Sequence, residues 1–217
     1  MSADLINKPT GYFSNVREEM MAFIPENIGV VLEIGCGEGG FSSYLKSSYH
    51  CEVWGIEYEK KQGLVASKYL DKVLIGDVGQ LMDQLPDNYF DTVICNDVLE
   101  HIYDPYTILK SLKSKMKPEG KVISSIPNIR YFRNLYDLVF NKNWDYQANG
   151  ILDITHVRFF TTKSIVKMYE NAGYKVLTHK GINASKSIKP KLFNILTLGT
   201  FSDIKYIQFA TVAQVEP

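Results

Sequence analysis

The sequence predicts an α/β protein whose parallel β-sheet carries helices on both faces. The first observation is that short β-branched apolar runs alternate with longer segments of helical periodicity along most of the chain. The second is that consecutive apolar runs are far enough apart for crossover helices, which join parallel strands. The third is size: 217 residues with no internal repeat and no low-complexity linker predict one domain, residues 1–217.

The first 128 residues contain the most regular elements. A helical pattern at 16–24 stops before Pro25. The strands are predicted from runs rich in Val and Ile, at 29–35, 52–57, 72–77, 90–97 and 121–128. The helices between them are predicted at 40–48, 60–70 and 104–116. Pro118 and Gly120 predict a turn before the fifth strand.

The remainder of the chain is less regular. Residues 128–160 form a long aromatic stretch without strand or helix rhythm, and insertions of this kind often act as lids, so we expect a substrate lid there. The elements expected after it are a helix at 162–173 that ends at Gly173, a strand at 174–182, a short helix at 189–199 and a strand at 204–214.

Charge and cysteine content restrict the partners and the compartment. Acidic and basic residues number 24 each, so the chain lacks the basic excess that nucleic acids and anionic membranes usually require, although a small local patch is compatible with this balance. We therefore expect no nucleic-acid partner. Cys36, Cys51 and Cys95 are odd in number and lie in or beside apolar runs, which predicts free thiols in a reducing cytoplasm. The sequence shows no signal-peptide pattern and no apolar run of the ~20 residues that span a bilayer, so no membrane insertion is expected.

The segment "LEIGCGEGG" at 32–40 carries the strongest functional signal. Gly35, Gly37 and Gly39 follow a predicted strand and open a predicted helix. Bare backbone at such a turn allows a ligand to approach closely, and the free N–H groups of the following helix can bind it. A plain tight turn is the alternative explanation. Gly35, Gly37 and Gly40 also match G-x-G-x-x-G, which alone is a weak dinucleotide signal.

Two acidic residues at the ends of later strands restrict the class of ligand that the site could bind. Glu57 ends the second predicted strand and could accept hydrogen bonds from both hydroxyls of a ribose. Asp77 ends the third and could accept from an adenine amine. Because parallel strands end at the same edge of a sheet, the turn and both acids predict one nucleoside-shaped site. Either acid alone could equally be a surface carboxylate.

These residues resemble a known family. The run "VLEIGCGEGGFSSYL", with "GIE" and "GDV" downstream, resembles the class I S-adenosylmethionine-dependent methyltransferases, and the resemblance covers essentially the whole chain. It implies a Rossmann-like seven-stranded sheet whose last strand is antiparallel, with Glu33 near the methionine amino group. The cofactor-binding residues that it implies are Glu33, Gly35, Cys36, Gly37, Gly39, Phe41, Glu57, Tyr58, Asp77, Val78, Asn96 and Asp97.

The N-terminal residues extend the resemblance. The stretch "GYFSNVREEM" resembles a helix that closes over the cofactor in this family, so residues 1–28 are expected to form that closing segment. Tyr12 and Arg17 would then hold the methionine carboxylate. Glu33 replaces the aspartate that is commoner in the family and keeps its charge.

A group of acids and histidines predicts the chemistry of the acceptor side. Asp97, Glu100 and His101 would share one face of a helical turn, and His156 is a fourth candidate ligand. Two carboxylates and two imidazoles suit Mg²⁺ or another divalent metal. The pattern resembles that of the ubiquinone-pathway O-methyltransferases and of the small-RNA 3′-terminal ribose methyltransferases. The alternatives are that His156 or His101 acts as a general base without metal, or that the histidines are structural.

Asp153 is the remaining catalytic candidate. It lies three residues before His156 and could orient that imidazole, as carboxylates behind metal-binding histidines do.

The expected lid suggests the acceptor. Its flat aromatic side chains suit sugar rings, although core or dimer packing explains any one of them as well, and a homodimer is compatible with this; they are Tyr131, Phe132, Tyr136, Trp144 and Tyr146. Arg130, Arg133 and Arg158 could bind a phosphate or carboxylate of a nucleotide-sugar or lipid-linked sugar, or could pair with Asp137 and Asp153.

The lid stretch also resembles a bacterial methyltransferase subgroup associated with polysaccharide and O-antigen synthesis. The sequence therefore predicts O-methylation of a sugar or other small-molecule hydroxyl, with metal assistance as one option. The alternatives are N-methylation of an amino-sugar or small amine, methylation of a small-RNA terminus, an NAD-binding oxidoreductase and a non-catalytic binding module.

Overall fold

A seven-stranded β-sheet forms the centre of the molecule in the computed structural model, which describes residues 17–216. The strands are β1 (Val31–Ile34), β2 (Val53–Glu57), β3 (Lys72–Ile75), β4 (Phe90–Asn96), β5 (Met116–Pro127), β6 (Tyr174–Ala184) and β7 (Tyr206–Val215). They lie in the order β3-β2-β1-β4-β5-β7-β6. The first five pair in parallel, whereas β7 runs antiparallel to both β5 and β6. The predicted mostly parallel sheet with an antiparallel last strand is confirmed.

Seven α-helices and three 3₁₀ turns complete the described part of the chain. The helices are α1 (Gly40–Tyr49), α2 (Lys60–Ala66), α3 (Val78–Leu81), α4 (Pro105–Lys115), α5 (Phe132–Val139), α6 (Thr162–Asn171) and α7 (Lys189–Leu196). The 3₁₀ turns are Glu18–Phe23, Met82–Gln84 and Leu99–His101. Of these helices, none is both long and apolar enough to cross a bilayer.

Helices cover both faces of the sheet because neighbouring strand residues point to opposite sides. Leu32 and Val93 belong to a hydrophobic cluster that also contains residues of α3, α4 and α6. Val31 and Ile94, the adjacent residues on those strands, belong to a second cluster with residues of α1 and of the first 3₁₀ turn. The sheet is therefore buried on both sides, as its continuous apolar strands predict.

Three segments differ from the sequence prediction. The N-terminal pattern at 16–24 forms a short 3₁₀ helix, Glu18–Phe23, rather than an α-helix. Pro118 and Gly120 do not end an element but lie within β5, where pairing skips from Phe90–Met116 to Thr92–Lys121. This bulge accommodates both residues without breaking the strand.

The third difference is α5, which lies inside the expected irregular lid. The segment expected to form that lid, residues 128–160, is hydrogen-bonded to the rest of the chain near both of its ends. Ile129 N–H donates to the Phe160 carbonyl (2.9 Å). The buried Asn128 donates to the carbonyls of Asp203 (3.1 Å) and Tyr206 (3.0 Å), at the start of β7. The lid is thus anchored at the carboxyl edge of the sheet, where β1 to β5 all end.

Candidate active site

The glycine turn has left-handed backbone angles, which glycine adopts without strain. Gly35, Gly37 and Gly39 all have positive φ angles, of 72°, 56° and 83°. A Cβ on Gly35 would lie 2.2 Å from Cγ2 of Val98, in the turn that follows β4. The glycine requirement therefore comes from backbone conformation and also from close packing against the segment that leads to Glu100.

Glu57 ties this turn to the end of β2. Its Oε2 accepts the Gly37 N–H (2.7 Å) and its Oε1 accepts the Glu59 N–H (2.9 Å). Burial raises the pKa of this carboxyl, while the two backbone donors oppose the shift. The predicted ribose-binding acid thus lies beside the glycine turn, as the nucleoside-site prediction requires.

Glu33 is buried at the third position of β1, directly beneath the turn. Its Oε2 accepts a very short hydrogen bond from the Ser42 hydroxyl on α1. Burial raises the pKa of Glu33 to about 7, and the nearby Glu57 charge adds to the shift while Ser42 and Arg17 oppose it. Ser42 was not identified from the sequence, because nothing in "GFSSYL" shows which of its two serines faces the strand.

Asp77 occupies the end of the third strand but has a local structural role as well. Its Oδ1 caps α3 by accepting the N–H groups of Gly79 (2.9 Å) and Gln80 (3.3 Å). The side chain is exposed, and the cap uses one carboxylate oxygen. Of the other implied cofactor contacts, Cys36, Phe41 and Val78 pack into the hydrophobic clusters, and burial raises the pKa of the Cys36 thiol.

The side chain of Asn96, the last residue of β4, indicates that a polar ligand binds at this edge of the sheet. Both polar atoms of its side chain are buried, and within residues 17–216 neither has a hydrogen-bond partner. A buried unpaired amide costs about 1–3 kcal/mol, so native proteins normally satisfy such groups. A polar ligand such as the cofactor would fit here. Tyr58, by contrast, is more than half exposed next to Glu57.

Arg17 lies across the ends of β4, β5 and β7. Its guanidinium forms an ion pair with Asp97 and donates to Ser125 Oγ and Gln208 Oε1, both at 3.3 Å. It also pairs with Glu19 at 2.7 Å. Tyr12, the other residue expected to hold the methionine carboxylate, lies outside the described residues.

Three of the four predicted metal ligands come together, and Asp97 does not join them. Glu100, His101 and His156 each offer one ligand atom, and these atoms all lie within 4.8 Å of one another. Asp97 has a φ of 53°, and the 3₁₀ turn begins only at Leu99, so residues 97–101 do not form the continuous helical face that the spacing predicted. Its carboxylate accepts instead from Gln208 (2.6 Å) and Ser125 (3.1 Å).

Backbone carbonyls fix the tautomers of both histidines. His156 Nδ1 lies 2.9 Å from the Ile151 carbonyl, and His101 Nδ1 lies 3.2 Å from the Thr155 carbonyl. A carbonyl can only accept, so Nδ1 carries a proton in each ring, and in the neutral form of each ring Nε2 is the nitrogen with the lone pair. Nε2 of His156 is 3.9 Å from Oε1 of Glu100, and the two rings meet edge to face with centroids 4.6 Å apart.

Asp153 supports this arrangement through a residue that sequence analysis missed. Its Oδ1 accepts the Thr155 hydroxyl (2.7 Å) and the Thr155 N–H (2.9 Å). Because that hydroxyl donates to Asp153, it accepts from His101 Nδ1, 3.1 Å away. The carboxylate expected to orient His156 therefore also contacts His101 by way of Thr155. A hydroxyl within "LDITHV" is the only sequence signal for this role.

Glu100 is the least satisfied group of the cluster. It is 1% exposed, and within residues 17–216 neither carboxylate oxygen has a hydrogen-bond partner. Burial raises its pKa to about 8. Its backbone carbonyl accepts hydrogen bonds from the N–H groups of Val157 (3.0 Å) and Arg158 (3.1 Å). These two bonds connect the 128–160 segment to the turn that follows β4. The main chain holds this carboxyl in place and leaves its oxygens for a ligand.

The lid aromatics mainly pack on one another. Trp144 and Tyr146 lie against Phe159, with ring centroids at 5.5 and 6.2 Å, and Phe132 lies against Phe193 at 6.2 Å.

The three arginines of the lid segment also have partners within the protein. Arg130 pairs with Asp203 at 2.6 Å, and Arg133 pairs with Asp137 at 3.3 Å while staying largely exposed. Arg158 donates to the Tyr103 carbonyl at 2.6 and 2.9 Å.

Comparison with known proteins agrees with this geometry. A family model described as a methyltransferase domain matches residues 12–179. The ubiquinone biosynthesis O-methyltransferase of Aeromonas salmonicida is 28% identical over 185 residues, covering 82% of this chain and 74% of the relative. The enzyme of the same name from Coxiella burnetii is 26% identical over 159 residues, covering 70% of this chain. That alignment covers 66% of the Coxiella enzyme, so the chain spans just under two thirds of its length.

The fold has close structural counterparts. A crystal structure of a SAM-dependent methyltransferase from Archaeoglobus fulgidus superposes with a TM-score of 0.70 at 17% identity and covers 91% of each chain. The matched family consists of methyltransferases, which decides against the NAD-binding oxidoreductase considered from the sequence. The chain therefore belongs to the methyltransferase domain family, and its fold is that of solved SAM-dependent methyltransferases.

Proposed function

We propose that the protein transfers the methyl group of S-adenosylmethionine to a hydroxyl of a small-molecule acceptor, most directly a sugar, with a divalent cation held by Glu100, His101 and His156. The observation that carries the proposal is Glu100. A buried carboxyl whose two oxygens accept no hydrogen bond in the described chain, with a ligand atom of each of two imidazoles within 4.8 Å, fits a cation better than it fits a purely structural core.

The donor set agrees with such a cation. One carboxylate and two neutral imidazoles are ligands that Mg²⁺, Mn²⁺, Fe²⁺ and Zn²⁺ accept in proteins, leaving positions for water or acceptor. When bound, a cation of this kind supplies Lewis-acid chemistry that makes a hydroxyl more acidic. It would also keep Glu100 ionised near neutral pH, although burial alone raises the pKa of this carboxyl to about 8.

The chain's own residues supply the remaining requirements. Glu33, Glu57 and Asp77 would bind the amino, ribose and adenine groups of the cofactor and so fix the sulfonium. Methyl transfer is an in-line displacement in which the acceptor oxygen bonds to the methyl carbon. The carbon–sulfur bond breaks, its electron pair returns to sulfur, the acceptor hydroxyl releases its proton to solvent, and S-adenosylhomocysteine is released. Positioning the two reactants at one sheet edge contributes a large part of the rate.

The acceptor class is argued from the relatives and from the lid. The similar proteins are named O-methyltransferases, which favours oxygen over nitrogen as the methyl acceptor. Tyr136 and Tyr146 remain about half exposed on the lid, where their faces suit a sugar ring. Arg133, largely exposed, suits a phosphate or carboxylate on the same acceptor. We expect the enzyme to act in the cytoplasm.

A second candidate mechanism uses the same residues without metal. His156 Nε2 would take the proton from an acceptor hydroxyl, while the Ile151 carbonyl accepts from Nδ1 of the same ring (2.9 Å). General-base catalysis of this type contributes typically 10²–10⁴-fold. It leaves the unsatisfied oxygens of Glu100 unexplained, so we rank it second.

The test is cation binding, measured independently of turnover. Calorimetric titration of the purified, chelator-treated protein with Mn²⁺ is expected to show one site, absent in His156→Gln and in Glu100→Gln. His179→Gln is the matched control, because His179 is a partly buried histidine that bonds to the hydroxyls of Thr162 and Thr211, away from the cluster.

An acceptor screen with labelled S-adenosylmethionine follows, using sugars, quinols, amines and a terminal ribonucleotide. Absence of Mn²⁺ binding together with full turnover in chelator, on any acceptor, would remove the metal from the mechanism. Loss of that chelator-resistant turnover in His156→Gln would then support the general base. Methylation of amines alone would overturn the O-methyltransferase assignment.

A further inference from the structure

Helix α7 turns its apolar side chains away from the protein. Ile188, Leu192, Ile195 and Leu196 follow a spacing of i, i+4, i+7 and i+8, and all are more than half exposed. This spacing marks the face that an amphipathic helix normally buries. Here Pro190, Phe193, Asn194 and Thr197, on the opposite side, are the less exposed residues.

The apolar face continues onto α5, beside the active-site edge. Phe132 of α5 packs on Phe193 of α7, which in turn packs on Phe201 with ring centroids 5.1 Å apart. Val139 and Phe140, at the end of α5, are each more than 60% exposed. We call these two helices with residues 140 and 188 the α5–α7 face. It lies at the carboxyl edge of the sheet, because α5 follows β5 and α7 connects the end of β6 to the start of β7.

Positive charge borders this face. Residues 184–200 contain Lys186, Lys189 and Lys191 and no acidic residue, in a chain whose acids and bases number 24 each over the whole sequence. All three lysines are exposed, and none forms an ion pair with any residue from 17 to 216. The local basic patch that the overall composition allowed is therefore concentrated next to exposed apolar side chains.

A small cavity lies at the foot of α7. It has a volume of ≈170 Å³, and its polar lining includes Lys191, Asn194, Ser202 and Lys205. Two lysines, a hydroxyl and an amide are groups that bind a phosphate. The cavity adjoins the apolar stripe through Ile195, which also lines it.

We infer that the α5–α7 face docks on the surface of a bilayer that contains anionic phospholipids, with a lipid headgroup phosphate in the Lys191–Lys205 cavity. Apolar side chains flanked by lysines are what a headgroup–acyl boundary accommodates, and peripheral docking requires no spanning helix. A second copy of the chain fits less well, because a two-fold interface would bring the lysines of both copies together.

This docking would place the lid and the acceptor site near the bilayer. Resting on the proposed function, it narrows the acceptor to a lipid-linked sugar or another hydroxyl compound presented at a membrane surface. The docking surface itself does not depend on the identity of the acceptor, so the two can fail separately.

The test is co-sedimentation of the full chain with vesicles. We expect binding to vesicles of phosphatidylcholine and phosphatidylglycerol in equal parts, and little binding to phosphatidylcholine alone. Replacing Lys186, Lys189 and Lys191 with Gln should lower the partition coefficient about 100-fold, since each lysine near an anionic surface contributes about 1 kcal/mol, or about fivefold. Ile195→Glu with Leu196→Glu should abolish binding.

Matched controls are exposed residues elsewhere: Lys110→Gln for charge and Leu64→Glu for an apolar position. Binding of S-adenosylhomocysteine by every variant, measured in the absence of vesicles, shows that the fold is intact and keeps this test apart from that of the proposed function. Failure of the wild-type protein to bind phosphatidylglycerol vesicles overturns the inference. So does binding that the α7 variants leave unchanged, or a dimer in sedimentation velocity that the same variants dissociate while no vesicle binding occurs.

Discussion

We call Glu33, Glu57 and Asp77 the cofactor half of the active-site edge, and Glu100, His101 and His156 its acceptor half. The two halves are built in different ways. On the cofactor half, the acids already have partners close in sequence or in the next element. Glu57 accepts two backbone N–H groups, Asp77 caps its own helix and Glu33 accepts from Ser42. On the acceptor half, the oxygens of Glu100 have no such partners within residues 17–216.

The difference has a physical consequence. A site whose polar groups are satisfied before the ligand arrives is preorganised and is stable without it. A site that keeps buried polar groups unsatisfied is less stable until a ligand satisfies them, and the ligand then contributes binding energy to folding. We therefore expect substitutions on the cofactor half to lower stability, and substitutions on the acceptor half to lower ligand binding while leaving stability unchanged.

The largest effect is expected from Gly35→Ala, because Gly35 of the glycine turn packs against Val98 in the segment that leads to Glu100. The new Cβ would lie 2.2 Å from Val98 Cγ2, at a φ of 72°. Left-handed strain of roughly 1–2 kcal/mol and overpacking of roughly 1–3 kcal/mol should add, and calorimetry should detect no S-adenosylhomocysteine binding.

The double variant Gly35→Ala with Val98→Ala separates the two causes. It relieves the contact and leaves the φ strain, so urea unfolding should recover part of the lost stability. Full stability in the single variant would show that the turn is not constrained as described.

Next in size is the contrast between Glu57→Gln and Glu100→Gln. A glutamine at 57 keeps one acceptor oxygen and turns an NH₂ group toward a backbone N–H, so the free energy of unfolding should fall by about 1–3 kcal/mol. The same change at 100 removes no hydrogen bond made within residues 17–216 and avoids a buried ionisable group, so stability should stay equal or rise.

Urea denaturation of both variants in chelator measures this contrast. If both substitutions lowered the free energy of unfolding equally, the two halves would not differ in the way described.

Thr155→Val tests how the acceptor half is positioned. It removes the hydroxyl that links Asp153 to His101. Loss of such support behind a metal-binding histidine typically lowers metal affinity 10–100-fold, so Mn²⁺ binding should weaken by that amount while the Kd for S-adenosylhomocysteine is unchanged.

Thr107→Val is the control for this substitution, because its hydroxyl makes the same kind of bond to Asp104 (2.7 Å) on the surface. Unaltered Mn²⁺ affinity in Thr155→Val would show that the backbone carbonyl of that residue alone orients His101.

The smallest effect is a pH dependence on the cofactor half. The pKa of Glu33 is raised from 4.5 to about 7, so its carboxyl is mostly protonated at pH 6 and mostly ionised at pH 7.5. Attraction to the methionine ammonium should therefore lower the Kd for S-adenosylhomocysteine about tenfold over that interval.

The stability of the cofactor-free protein should change in the opposite sense. The unfolded chain releases this proton near pH 4.5 and the folded chain only near 7, so the free energy of unfolding should fall as pH rises between these values. Glu33→Gln should remove both dependences, as calorimetry and urea unfolding across pH would show. A Kd that is constant from pH 6 to 7.5 in the wild type would contradict the assignment.

The features that the sequence predicted depend on residues that are close to one another along the chain. The sequence placed the glycine turn, Glu57 and Asp77 at one edge of the sheet because each lies at or just after the end of an apolar strand, and parallel strands end at one edge. The same logic failed between residues 97 and 101, where spacing predicted a helical face. The left-handed φ of Asp97 turned that residue toward Arg17, away from Glu100 and His101.

The sequence by itself determined the alternating α/β order, the glycine turn and the residue types of the Glu100, His101 and His156 cluster, because these depend on local periodicity and on residue chemistry. Only the tertiary structure decided which of those side chains meet. The contact between His101 and His156 spans 55 residues and is made by a lid fastened through Asn128 and Glu100. The outward orientation of the α7 apolar stripe was also decided there, because periodicity identifies an apolar face but does not tell which neighbour, if any, covers it.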